Sequence, residues 1–385
     1  MSRFVSLSEL RLTDFRNYRH LALDLSERHV VLTGPNGSGK TNLIEAISLL
    51  SPGRGLRRAQ LADMARAGSQ GGFSVFARLR DGGDGHAVGT GTAGNGSGQG
   101  EGATRRVRID GTTARSADEL LELARILWLT PAMDGLFTGP AGDRRRFLDR
   151  MVLAIDPGHA RRATEYEKAM RQRNRLLEAP PEPQVDIWLD GIETQLAALG
   201  TAIIAARQEL VGLLTGLIDE AGSDPGPFPT ADIALDGELE TMARQGTASA
   251  ALQTHMERQL RRMRHRERAA GRTLTGPHRA DLSVRHRTKA MAAGRCSTGE
   301  QKALLTGLVL AHAALTARIS GLTPILLLDE VAAHLDPERR AAMFDRVHAL
   351  GGQAFMTGTD RSLFDALAGR AQYLHVEDGS MVPDA

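Results

Sequence analysis

At 385 residues the chain exceeds the usual size of a single domain, so one large lobe with a second, smaller one is the expected layout. A hydrophobic content of 41% and a charged content of 24% are ordinary for a globular protein and exclude a disordered chain, and no stretch is expected to cross a membrane. The formal net charge of +2 decides nothing about a polyanionic partner, and the single cysteine, Cys296, excludes an internal disulfide and fits a reducing cytoplasm.

Residues 7–12 and 21–25 alternate apolar with polar side chains, as short half-buried strands do, around the turn-like Arg16-Asn17-Tyr18-Arg19. His29 to Thr33 is a compact apolar strand that ends in glycines, and residues 42–50 have helical spacing closed by Pro52-Gly53. Phe73 to Arg80 and Thr104 to Ile109 read as two further strands, with the glycine-rich segment 82–102 as a hairpin tip between them. From Ala117 to Glu220 the composition is helical, with long runs at 159–177 and 185–220 separated by a proline turn at 178–183. A proline-rich turn at 224–229, a strand near 230–235 and a helix over 248–270 follow. The remainder predicts a strand at 281–287, a helix at 299–320, a fully apolar strand at 324–329, and a closing strand, helix and strand at 354–359, 363–367 and 373–376.

The segment Gly34-Pro35-Asn36-Gly37-Ser38-Gly39-Lys40-Thr41 matches the P-loop pattern between a strand and a helix. Glycines let backbone N–H groups converge on phosphate oxygens, and the positive end of the following helix faces the same anion. In such a loop Lys40 reaches the β and γ phosphates of ATP and Thr41 ligates Mg²⁺. Ile325 to Leu328 then leads into Asp329 and Glu330, two adjacent carboxylates that suit a Walker B strand, with Asp329 supporting Mg²⁺ and Glu330 acting as general base. Asp329 lies 289 positions after Lys40, so a large body is inserted between the two catalytic strands.

Ser297-Thr-Gly299-Glu300-Gln-Lys302 opens the long helix just before that strand. One reading is a capping box of Ser297 with Glu300; the other is an ABC signature whose Ser297, Gly299 and Lys302 meet the γ phosphate held by a second subunit, and the two are compatible. Asp336 falls where an ABC D-loop lies. Arg258, Arg261, Arg262, Arg264, Arg266 and Arg268, with Arg54, Arg57 and Arg58, are candidate phosphate-neutralising clusters, whereas Arg144, Arg145 and Arg146 are expected to pair within their helix with Asp143 and Asp149.

The order of these motifs resembles the split ABC heads of the SMC class, and within it the short-armed RecF family. The resemblance is carried by Leu10 to Tyr18, Thr41 to Ile47, Leu50 to Arg57, Arg144 to Asp149, Gln172 to Leu177 and Gly276 to Leu282. It implies an α/β fold: an ABC/SMC-type P-loop ATPase head split in sequence, over residues 1–116 and 271–385, with an inserted, mainly helical arm at 117–270. It further implies that Arg16 and Asn17 belong to the nucleotide site, and that an ATP-dependent homodimer binds gapped DNA. With RecR and RecO such a dimer helps load RecA and supports the SOS response, in the cytoplasm and without a membrane. Glu300 departs from the glutamine common in the signature, and Thr357, Thr359 and Asp360 stand where an ABC head carries a switch histidine. The runner-up readings are an ABC ATPase driving a membrane transporter and a repair scaffold with incidental ATPase activity.

Overall fold

The computed structural model describes all residues except 1, 26–27, 84, 94–103, 181, 222–225, 378 and 384–385. The tip of the glycine-rich segment and the start of the 224–229 turn therefore lie outside the described residues. The chain forms two compact units, one from Met1–Asp134, Pro225–Pro229 and Ser297–Ala385, the other from Gly135–Asp224 and Thr230–Cys296.

The first unit opens with β1 (Ser6–Phe15), β2 (Tyr18–Asp24), β3 (His29–Thr33), α1 (Lys40–Ser48), α2 (Leu61–Met64), β4 (Phe73–Arg80), β5 (His86–Thr92), β6 (Arg106–Ile109), β7 (Thr112–Thr113), α3 (Leu120–Leu123) and β8 (Ile126–Leu129). The second unit holds α4 (Ala141–Ile155), α5 (His159–Glu178), α6 (Pro183–Glu220), β9 (Ala231–Asp236), α7 (Glu238–Arg244), α8 (Ser249–Ala270), β10 (Asp281–His286) and β11 (Met291–Ala292). The first unit resumes with α9 (Thr298–Ser320), β12 (Ile325–Leu328), α10 (Pro337–Ala349), β13 (Ala354–Thr357), β14 (Ala371–Glu377) and β15 (Ser380–Pro383).

Two six-stranded sheets build the first unit. One is antiparallel, in the order β2-β1-β4-β5-β6-β7; the other runs β15-β14-β3-β13-β12-β8 and is parallel except for β15. The strands β3, β8, β12 and β13 are buried along their whole length, which explains their unbroken apolar runs. Helix α1 belongs to the core that the sheets share, with Leu43, Ile44, Ala46 and Ile47 fully buried among Leu10, Leu12, Val30, Leu32, Val75, Ile325 and Leu327. The helix that follows the P-loop is thus held on nearly every side.

Several expectations need correction. The first strand is long, because its pairing with β4 and β2 continues from Ser6 through Phe15 despite a register shift between Leu7 and Glu9. The glycine-rich segment contains β5, paired on both sides, because Val88 and Thr90 face inward while Gly89 and Gly91 fall on the other face. A Cβ on Gly91 would come within 2.1 Å of the Phe73 carbonyl oxygen, so the glycine reflects close strand approach as well as chain turning. The supposedly helical block starts with helical turns through α3 but then contains a strand, β8, which pairs in parallel with β12. The compact units accordingly divide at 134/135 and 296/297, where the sequence placed the arm at 117–270.

The expectation that nothing is long and apolar enough to cross a membrane is also overturned: α6 and α9 both are. Helix α9 spends its apolar residues inside the first unit, burying Leu304, Leu305, Leu308 and Ala313. Helix α6 buries Leu196, Ile203, Ile204 and Leu210. Within the second unit, α5, α6 and α8 enclose Arg173, whose guanidinium pairs with Glu193 at 2.9 Å and Glu267 at 2.6 Å and donates to the Leu260 carbonyl at 2.8 Å. All three charged side chains are almost completely inaccessible to solvent.

Candidate nucleotide site

Strand β3 delivers the chain into the P-loop, and three glycines there have backbone conformations that L side chains rarely adopt: Gly34 at φ +136°, Gly37 at +84° and Gly39 at +118°. Gly34 also passes so close to β14 that a Cβ would meet the Val376 carbonyl oxygen at 2.3 Å. The back of the loop is clamped by the turn between β1 and β2. Asn17 Nδ2 donates to the Ser38 carbonyl at 3.0 Å, and the Tyr18 hydroxyl donates to the Gly39 carbonyl at 3.0 Å.

Arg16 and Asn17, expected at the nucleotide, have their side chains committed to this brace. The Arg16 guanidinium holds both oxygens of the buried Glu45 at 2.8 Å and donates to the Asp63 carbonyl at 2.7 Å. Asn17 Oδ1 accepts from Asn42 Nδ2 at 2.8 Å, and Arg57 completes the chain by donating to Asn42 Oδ1 at 2.6 Å and Glu45 Oε2 at 3.1 Å. Glu45 and Tyr18 are structural members of the site that motif reasoning did not single out. Both lie within segments whose pattern was noted for other reasons.

The Lys40 ammonium donates to the carbonyls of Gly34 at 2.7 Å and Pro35 at 2.8 Å. Burial pushes its pKa down, while the carboxylates of Glu330 and Asp329 pull it up. The Ser38 hydroxyl is buried with no protein partner, an unmet polar atom in a loop whose glycines and helix end suit an anion. A phosphate fits that requirement.

Thr41 Oγ1 donates to Asp329 Oδ1 at 3.0 Å across 288 positions of sequence, so the P-loop and the Walker B strand meet. Asp329 Oδ1 also accepts from Thr357 Oγ1 at 2.7 Å. Desolvation raises the pKa of Asp329 above the ordinary carboxylate value, with the two threonine hydroxyls opposing it. A hydroxyl and a carboxylate so close form the hard-oxygen pair that Mg²⁺ takes from protein beside a nucleotide. Glu330 adopts a left-handed backbone, φ +53°, and its N–H donates to the same Thr357 hydroxyl at 2.9 Å. Thr357, at the end of β13, therefore touches both residues of the acidic pair.

The signature segment shows the capping box in full: Ser297 Oγ accepts from the Glu300 N–H at 3.4 Å, and the Glu300 carboxylate accepts from the Ser297 N–H at 3.0 Å. Lys302 pairs with Asp134 at 2.8 Å and lines, with Thr130 and Asp329, a cavity of about 20 Å³, far too small for a nucleotide. Gly299 is exposed, with no atom within 4 Å of where a Cβ would stand. Asp336 caps α10 by accepting from the Arg339 N–H at 2.9 Å.

The arginine clusters divide. Arg264 is bound by Asp186, Asp190 and Glu193, Arg261 pairs with Asp190 at 2.9 Å, and Arg268 donates to the Leu177 carbonyl, whereas Arg258, Arg262 and Arg266 are exposed. Of the three consecutive arginines in α4, Arg146 alone pairs within its helix, with Asp143; Arg144 grips Asp281 through two bonds of 2.8 Å and Arg145 donates to the Ala280 carbonyl. Arg144 and Arg145 do not form the expected intrahelical pairs because the half-buried Asp281 carboxylate and the buried Ala280 carbonyl, distant in sequence, offer acceptors.

A P-loop and an acidic strand end brought together from opposite ends of the chain, on a parallel sheet flanked by an antiparallel one, define a P-loop ATPase head of the ABC/SMC type. The chain belongs to the RecF family: residues 6–378 match the RecF/RecN/SMC N terminal domain, and full-length relatives carry the RecF name. One of these, the DNA replication and repair protein RecF of Mesorhizobium japonicum, is 61% identical over 98% of this chain and 97% of its own length. Another, the DNA replication and repair protein RecF of Agrobacterium fabrum, is 58% identical over 99% of both. Among solved structures, the recombination mediator protein RecF with ATPrS superimposes with a TM-score of 0.85 at 22% identity over 100% of both chains. An Smc head domain from Pyrococcus furiosus gives 0.53 at 14% identity over 98% of this chain and 95% of its own. Both structures speak for the fold alone.

Proposed function

We propose that this chain is an ATP-gated DNA clamp of recombinational repair, which dimerises on ATP, holds gapped DNA and, with RecO and RecR, helps load RecA and so supports the SOS response. The contact of Thr41 with Asp329 carries the enzymatic part of this reading, because it assembles the two halves of a triphosphate site from opposite ends of the chain. The RecF name shared by full-length relatives supports the repair role.

In this reading the N–H groups of residues 34–41, the Ser38 hydroxyl and the Lys40 ammonium bind the phosphates. Thr41 and Asp329 would hold magnesium, which when bound supplies positive charge against the β and γ oxygens. Glu330 takes the proton of the attacking water, and Thr357 fixes the backbone from which Glu330 projects. The capped helix end with Ser297 and the exposed Gly299 covers the γ phosphate of a second copy, and the Asp336 turn lies at the same junction. Arg16 and Asn17 act through the P-loop they brace.

The test is sedimentation of Glu330→Gln with saturating ATP, with and without gapped duplex. A stable dimer that releases DNA more slowly than the unaltered chain is expected, since hydrolysis is blocked while binding is kept. A variant that stays monomeric at saturating ATP would overturn the gating.

A further inference from the structure

The antiparallel sheet of the first unit has one buried face, with Leu10, Leu12, Val75, Ala77, Val88 and Val107, and therefore an opposite face set by the period of two. Strand registers place across that opposite face Arg11 beside Phe76, Phe76 beside Gly89 and Gly89 beside Arg108. One step along in one direction, Glu9 stands beside Arg78; in the other, Ser74, Gly91 and Arg106 follow in a row.

Arg11, Arg78, Arg106 and Arg108 are all exposed. Three carboxylates share the face among the described residues: Asp24; Asp110, which is bonded to the Ala87 backbone beside Arg78; and Glu9, which is paired with both Arg11 and Arg78. The balance is positive. The Arg11 guanidinium lies over the half-buried Phe76 ring, 5.9 Å from its centroid. The strand next to Phe76 carries glycine where exposed sheet positions favour β-branched residues, and a Cβ at Gly89 would meet nothing within 4 Å. Packing inside the chain does not require a glycine there, yet the residue costs strand stability and leaves bare floor beside an aromatic ring.

A flat floor, one ring and surrounding guanidinium groups form a stacking platform within an electrostatic field for phosphates. We propose that this face binds single-stranded DNA, with one base stacked on Phe76 over the Gly89 floor and the backbone phosphates held by Arg11, Arg78, Arg106 and Arg108. Duplex DNA fits poorly, because its bases are stacked on one another and offer no free ring face. The inference rests on the reading of the chain as a DNA-binding protein and assigns a surface to it.

Anisotropy of a fluorescein-labelled oligothymidylate, titrated with the full chain in the presence of Mg·ATP, tests the assignment. Phe76→Ala weakens binding about tenfold, as removal of one stacked base predicts, while Phe76→Tyr binds like the unaltered chain. Arg108→Ala makes the dependence of log affinity on log salt shallower by about 0.7, the contribution of one single-strand phosphate contact. Binding of a blunt duplex is unchanged by Phe76→Ala. If Phe76→Ala and Arg108→Ala bind oligothymidylate like the unaltered chain, this face is not the site, and the DNA-binding reading stands. If Phe76→Ala also loses the thermal shift caused by Mg·ATP, the ring serves folding and the assignment falls. An unaltered chain that binds neither the oligonucleotide nor gapped duplex overturns the DNA-binding reading itself.

Discussion

Asp329 shows why position in the sequence names a residue and only its surroundings give it a chemistry. Its carboxylate is buried, desolvation raises its pKa, and the hydroxyls of Thr357 and Thr41, with the charge of Arg57, oppose that shift. The same logic applies to His29, fully buried in β3 with its Nε2 3.3 Å from His348 Nδ1. Burial, then His348, Arg28 and Arg370, lower its pKa from 6.5 to about 4. A group so depressed takes up its proton more readily in the unfolded chain. The stability it supports is therefore complete above about pH 6.5 and declines as pH falls toward 4, by on the order of 3 kcal/mol at most. Urea midpoints measured across this window should fall with pH in the unaltered protein and fall less steeply in His29→Gln; identical slopes would show that His29 does not carry the effect. The P-loop was legible because its chemistry is contiguous, eight residues between strand and helix. The engagement of Lys302 by Asp134 was not, since 168 positions separate them and either residue alone reads as solvated surface.

At the scale of elements, what the sequence hid is what pairing supplies. Strand β8, Ile126–Leu129, is four apolar residues inside a helix-rich stretch, and only its hydrogen bonding to β12 separates it from a buried helical turn. Strand β5 was masked by its glycines, which remove the side-chain alternation on one face while Val88 and Thr90 keep it on the other. Helices α5, α6 and α8 were legible as helices from their spacing, but the reason they stay together at one register lies in Arg173. That residue joins Glu193 of α6 to Glu267 of α8 with no access to water. Arg173→Ala should cost about 3–5 kcal/mol of unfolding free energy, most of it from Glu267 left buried without a cation, while Glu193 keeps Arg264 at 2.6 Å. Combining Arg173→Leu with Glu193→Leu and Glu267→Leu should recover much of the loss. A denaturant series in which the single variant costs less than about 1 kcal/mol would show that the network is not desolvated as its burial implies.

For the whole molecule, the two compact units set the consequence of ligand binding. Every side chain of the nucleotide site described above belongs to the first unit, and that unit is built from both ends of the chain. A ligand that binds only the folded site stabilises it by RT ln(1 + [L]/Kd), about 2.7 kcal/mol at a hundredfold excess over Kd. In a chain whose units unfold separately, calorimetry should resolve two transitions, and Mg·ATP should raise only the one that belongs to the first unit. Arg173→Ala identifies the other, because the network it breaks lies wholly in the second unit. Lys40→Ala should abolish the ATP-dependent shift, since it removes the ammonium that burial and the facing carboxylates have poised at the P-loop. A single transition that moves as a whole with Mg·ATP would mean that the units unfold as one, and that nucleotide binding and arm stability are then coupled through the entire chain.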